Sequence, residues 1–216
     1  MIRSLLLPVG LLGLLLGSAP ASAQEPTAAA RSSRHAALLV DAASEVDAFT
    51  KMYLYEVISG RLQQLGFAVT AGDPGAASRP ALQCVESAEC RAPLMQTLHA
   101  PWLIAVHLQP SGEGRLRVSL RTSDGSARLD AEDEEAAIAT ALDRALSSID
   151  ASTIPCLVVL DSEVRNTEFR LRGETTTLPS LVVPGEHDAR LDAPGRHAWE
   201  GSLVCRGGGV LRVRVR

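Results

Sequence analysis

The chain has 216 residues, a formal net charge of −4, and arginine at 20 of its 21 basic positions. Its single lysine, Lys51, lies in neither a glycine loop nor an S-x-x-K spacing, which excludes a Walker loop, a Schiff-base enzyme and a Ser-Lys pair. Mild acidity argues against nucleic acid and against a polybasic membrane contact.

Met1–Ala23 opens on Ile2-Arg3, continues through the Leu-, Val- and Gly-rich run Leu5–Gly17, and closes on Ala21-Ser22-Ala23, a small-x-small peptidase site. That layout predicts a secretory signal peptide over residues 1–23. The run is too short, and too interrupted by Pro8, Gly10 and Gly13, to span a membrane. Cleavage removes Arg3 and leaves a mature chain of net charge about −5, periplasmic or secreted and not membrane-spanning.

Residues 24–34 are small, polar and aperiodic and read as a disordered lead-in. His35–Val40 suits a buried strand. A helical pattern follows from Ala48 to Leu65, with Phe49, Met52, Tyr53, Val57, Leu62 and Leu65 close to one face and Gly66 at the C′ position. Phe67–Thr70 reads as a strand and Ala71–Pro80 as a loop. Cys84 and Cys90 flank a segment leading into a helix over Ala88–Leu98. Pro101–Leu108 and the alternating Arg115–Thr122 form a hairpin about Ser111–Gly114, and Glu132–Ile149 closes the unit as an amphipathic helix. The acidic run Asp130–Glu135 is placed at that helix's N-terminus, where carboxylates are stabilising; adjacent helical positions diverge too far for a metal site.

After the short joint Ala151–Pro155 no helical period appears. Apolar runs at Cys156–Leu160, Glu168–Arg172, Leu178–Val183, Ala189–Leu191, Ser202–Cys205 and Val210–Val215 are separated by Pro184-Gly185, Pro194-Gly195 and Gly207-Gly208-Gly209. They predict a small all-β sandwich. The fold class is therefore α+β in two domains, a β-α-β-α-β-β-α domain over residues 35–150 and a β-sandwich over 156–216.

The four cysteines allow three pairings. An even count in an oxidising compartment favours disulfides, and Cys84–Cys90 with Cys156–Cys205 keeps each bridge inside one domain. No C-x-x-C occurs, which disfavours zinc-ribbon and thioredoxin-type sites.

Two resemblances rest on these residues. Cys84-x5-Cys90, followed by Leu94, Leu98, Ala100, Leu103-Ile104, Val106, Leu108, Leu116, Val118 and Leu120, is similar to exported bacterial proteins whose α/β domain resembles the amino-terminal domain of periplasmic TolB. Leu181-Val-Val-Pro184-Gly185-Glu-His187, with Leu191, Gly195, Gly207 and Leu211-x-Val213-x-Val215, resembles a PEGA-type β-domain, although the Pro-Glu-Gly-Ala stretch itself is absent. Both imply envelope-associated modules that bind or space other things, and neither brings catalytic residues.

Glu186-His187-Asp188 with His197 is the one grouping that could ligate zinc, and it lacks paired-histidine spacing. No G-x-S-x-G is present. Arg115, Arg117 and Arg121, and again Arg212, Arg214 and Arg216, project from one strand face each, as an anion-binding surface or as charged edge protection. Trp102 reads as core and Trp199 as an exposed contact. The leading expectation is a non-enzymatic binding or assembly module of the bacterial envelope without metal or cofactor. Its partner is an envelope protein, and its candidate surface comprises Arg117, Trp199, Arg212 and Arg214. A small secreted hydrolase with an unrecognised Ser/His/Asp site is one alternative. A carbohydrate-binding module, which requires Trp199 exposed beside Arg212 and Arg214, is another.

Overall fold

Strand β1 (Arg34–Ala42) is apolar on both faces, as a strand covered on both sides must be. In the computed structural model, which describes residues 34–214 apart from 77–78, 162–163 and 165, it is the second strand of a five-stranded sheet. The expected signal peptide, the lead-in before Arg34, and Val215 and Arg216 lie outside the described residues. Strand β1 pairs in parallel with β2 (Phe67–Gly72) on one side and β3 (Trp102–Pro110) on the other. The antiparallel strands β4 (Arg115–Thr122) and β5 (Arg128–Glu134) extend the sheet beyond β3, giving the order β2-β1-β3-β4-β5.

Alternation along the strands feeds two cores. Ala36, Leu38, Val40, Ile104 and Val106 point toward helices α1 (Ala48–Gln64) and α4 (Glu135–Ser147). Ala37, Leu39, Leu103 and Ala105 point toward α2 (Ala81–Glu86) and α3 (Ala88–Leu98). Cys84 and Cys90 are joined as a disulfide inside the second core and tie α2 to α3. Trp102 is fully buried, with its indole N–H donating to Asp124 at 2.9 Å and its ring centroid 5.0 Å from that of Phe67.

Helix α1 begins where the Asp47 carboxylate accepts from the Phe49 and Thr50 backbone N–H groups, each at 2.9 Å. It ends before Gly66, whose φ of +85° is open to glycine at little cost. The Arg34 guanidinium donates to the Leu65 carbonyl at 3.1 Å and satisfies part of the helix C-terminus.

The acidic run departs from expectation. Residues 128–134 form the edge strand β5, and α4 starts only at Glu135. Register explains the difference: Asp130, Glu132 and Glu134 stand opposite Ser119, Arg117 and Arg115 of β4. Arg117 donates to Glu132 at 2.7 Å and Arg121 to both Asp130 oxygens at 2.9 Å, so cross-strand pairing takes up charge that a helix start would leave exposed.

The carboxy-terminal half has two sheets. One has the order β11-β10-β7-β8, built from β7 (Glu168–Leu171), β8 (Glu174–Thr175), β10 (Gly185–Asp192) and β11 (Trp199–Cys205). The other has the order β12-β6-β9, from β6 (Cys156–Asp161), β9 (Ser180–Val182) and β12 (Val210–Arg214). A third core is drawn from both: Val158, Val182 and Val213 from one sheet, and Phe169, Ala189 and Leu191 from the other. The Cys156–Cys205 disulfide crosses that core from β6 to β11. The described residues thus form a mixed α and β fold with three sheets and two disulfides.

The halves meet at the glycine turn. The backbone N–H of His35 donates to the Gly208 carbonyl at 2.7 Å, Arg34 Nε donates to Gly207 at 3.1 Å, and Gly208 N–H donates to Ile154 at 3.0 Å. Glycine is required there: a Cβ on Gly207 would lie 2.3 Å from the Ala151 carbonyl oxygen, and one on Gly208 would lie 2.7 Å from the Phe67 ring. Ala151 and Ile154 of the connecting segment are buried in the first core.

Candidate functional site

Large apolar side chains are exposed in two places among the described residues: Phe49, Met52 and Tyr53 on α1, and Leu181, Val183 and Val204 in the carboxy-terminal half. Sequence pattern groups Phe49, Met52 and Tyr53 with Val57, Leu62 and Leu65, yet the buried face of α1 comprises Thr50, Leu54, Ile58, Ser59 and Leu62. Phe49 is 79% exposed, Met52 57% and Tyr53 44%. Apolar residues surround most of the helix, so more than one row could face inward. The row packed on the sheet is Leu54, Ile58 and Leu62, each fully buried, and Thr50, one step earlier in the same row, is buried with them, its hydroxyl donating to Asp47 at 2.7 Å.

At 100° per residue, Phe49, Met52, Tyr53, Glu56 and Gly60 fall within one outward stripe about 100° wide. Carboxylates lie at its amino-terminal end: Glu45, Asp47 and, on the parallel neighbour α4, Glu135. Backbone N–H donation from Thr50, then the Thr50 hydroxyl, holds the Asp47 carboxyl below its usual range. Arg144 lies at the other end, in the last turn of α4, while Arg61 is turned off the stripe toward α4, where it is paired with Asp143 at 3.6 Å and donates to Ser147 at 2.8 Å and to Gln64 at 2.9 Å. Three large apolar side chains side by side in water form a contact surface of the kind that partners cover.

The residues singled out from sequence lie on three different sheets. Arg117 is on β4 and bonded to Glu132, whose carboxyl is held below its usual range by the Ser111 hydroxyl and then by Arg117. Arg212 and Arg214 are on β12, with Arg214 donating to Asp161 at 2.9 Å. Arg216 lies outside the described residues. Trp199 is in strand β11 of the other carboxy-terminal sheet, half-buried against the third core, with its ring beside Gly201. The fold therefore does not place Trp199 and the two arginines on one strand face.

Asp41, His107 and Ser119 form a row across β1, β3 and β4, through the registered pairs Asp41↔His107 and His107↔Ser119. Asp41 Oδ2 lies 3.1 Å from His107 Nδ1. The Ser119 hydroxyl, however, donates to Asp130 at 2.9 Å, so its proton is directed away from the imidazole. His187 is 3% exposed and has both ring nitrogens engaged: Nδ1 accepts from Arg172 at 3.0 Å, and Nε2 then carries the hydrogen donated to the Val183 carbonyl at 2.8 Å. His197 is exposed, and no group of three metal-ligating side chains converges among the described residues. A depression of about 500 Å³ over β7, β10 and β11 is lined by Arg170, Asp188, Arg190 and Glu200. Arg190 there is held by Asp192 and Glu200, and its hydrogen bond to Asp192 raises its already high pKa further.

Two signals for the α1 surface were present in the sequence, an apolar pattern too wide for one buried face and an unexplained helical glycine at position 60. No protein-family model matches the chain, and no curated protein matches it. Among solved structures, a dodecameric PelC variant from Paraburkholderia phytofirmans is similar over 55% of this chain and 88% of that one. Its 12% identity and TM-score of 0.32 carry no argument about fold or function.

Proposed function

We propose that the protein is a non-enzymatic binding or assembly module of the bacterial envelope, exported to an oxidising compartment and organised as an α/β domain followed by a β-sandwich. The observation that carries this reading is the exposed Phe49, Met52 and Tyr53 group on α1. Covering apolar area contributes about 25 cal/mol per Å², so three such side chains favour association with a protein surface. The carboxylates of Glu45, Asp47 and Glu135 beside it disfavour an anionic lipid surface. The disulfides Cys84–Cys90 and Cys156–Cys205 support an oxidising location.

Site-specific photo-crosslinking tests the reading. A photoreactive phenylalanine analogue at position 49, expressed in the source cell, is expected to give discrete protein adducts in the envelope fraction, while the same group at exposed position 174 gives none. Equal, diffuse labelling from both positions, or no adduct from position 49, overturns it.

A further inference from the structure

Gly60 is a costly residue in its place. It lies inside α1, four residues from the last one, where glycine is roughly 1 kcal/mol worse than alanine. Nothing in the fold requires it: a Cβ built there meets no atom within 4 Å, and its φ is not in the left-handed region. It nevertheless falls on the same outward stripe as Phe49, Met52 and Tyr53, two helical turns beyond Tyr53. A helix that carries large apolar side chains in one half and a notch in the other can complement itself when two copies cross antiparallel.

We infer that the partner of this face is a second copy of the chain, paired through α1 about a twofold axis near Glu56 and Val57. The inference rests on the proposed binding role and specifies its partner. Tyr53 of each copy then lies over Gly60 of the other, because the two positions are equidistant from the axis, and Phe49 extends over Gln64. Glycine at the crossing lets the helix backbones approach closely. Charge supports the antiparallel sense. The carboxylate end of each stripe, with Glu45, Asp47 and Glu135, meets the other copy's Arg144, and the helix dipoles oppose. A parallel pair would stack like charges at both ends. The two Glu56 side chains approach each other near the axis, and a single helix crossing covers less than the roughly 800 Å² per partner of a standard interface. The dimer is accordingly weak.

Sedimentation equilibrium of the purified protein, from micromolar to millimolar concentration, tests this with two variants. The unaltered chain is expected to move from one to two copies over that range. Gly60→Leu fills the notch from a position with open space around it. It is expected to lower the association constant at least tenfold with no loss of melting temperature, which also shows that the variant folds. Glu56→Gln removes the repulsion at the axis and is expected to raise the association constant severalfold. A chain that stays monomeric throughout overturns the inference, and so does a dimer indifferent to both substitutions. A monomer in solution that still gives a position-49 adduct with a different protein overturns self-pairing alone. Failure of the crosslink as well overturns the binding reading.

Discussion

The two halves of the molecule are held together by different means. The amino-terminal half buries residues on both faces of a five-stranded sheet, and its disulfide closes a loop with a sequence separation of 6 between neighbouring helices. Among the described residues, the carboxy-terminal half has one core of eight buried residues, two of them the cysteines of a bridge with a sequence separation of 49. A thin core cannot offset much chain entropy, so the second half depends on its covalent link far more than the first.

Breaking the bridges should expose that contrast most sharply. On the chain-entropy account, Cys156→Ala with Cys205→Ala costs about 4 kcal/mol, and denaturant unfolding should then split, with the carboxy-terminal half melting first. A single unsplit transition with a small shift would show that the third core is self-sufficient. Next in size is Gly207→Ala, whose added carbon meets the backbone oxygens of Ala151 and Ser152, atoms that cannot move aside singly. We expect a loss of about 3 kcal/mol, shared by both halves because the turn contacts both. Removing the short bridge by Cys84→Ala with Cys90→Ala should cost about 2 kcal/mol and leave one cooperative transition for the amino-terminal half, read by Trp102 fluorescence.

The smallest effect concerns pH at the same joint. Burial, then the Arg212 guanidinium, lowers the His35 pKa from 6.5. The folded protein thus binds that proton less readily than the unfolded chain. Stability from this group is full above about pH 6.5 and is lost as pH falls through the lowered value. The drop in denaturation midpoint between about pH 7.5 and pH 5 should shrink in His35→Gln, and an unchanged drop would remove His35 from the account.

Much of the architecture was legible because its signals are local. The hairpin of Pro101–Leu108 with Arg115–Thr122, the Gly66 stop and the short runs after Cys156 each follow from neighbouring residues, and the cysteine pairing follows from keeping each bridge inside one half. Two features were not, because each is decided by what packs or pairs against it. Strand β5 is weakly apolar, with Leu129 and Ala131 its only inward residues, and its carboxylates make sense only opposite Arg117 and Arg121. The phase of α1 follows the row Leu54, Ile58 and Leu62, which pattern alone does not separate from the row of Phe49, Met52 and Tyr53 on a helix that is apolar around most of its circumference. The candidate site was hidden by the same fact, since side chains that pattern alone assigns to a core are the ones left outside. The arginine stripes were visible, but the carboxylates that occupy Arg117 and Arg214 were not.

The clasp between Arg34 and Gly207 joins residues 173 positions apart. Contacts of such separation carry the largest loop-closure cost and so form late. A chain emerging vectorially can complete β1 through α4 while the opening residues of its first strand still wait for the glycine turn. Destabilising the seam with Gly207→Ala is therefore expected to slow the joining of the two halves in refolding kinetics more than the assembly of the five-stranded sheet, read by Trp102 fluorescence.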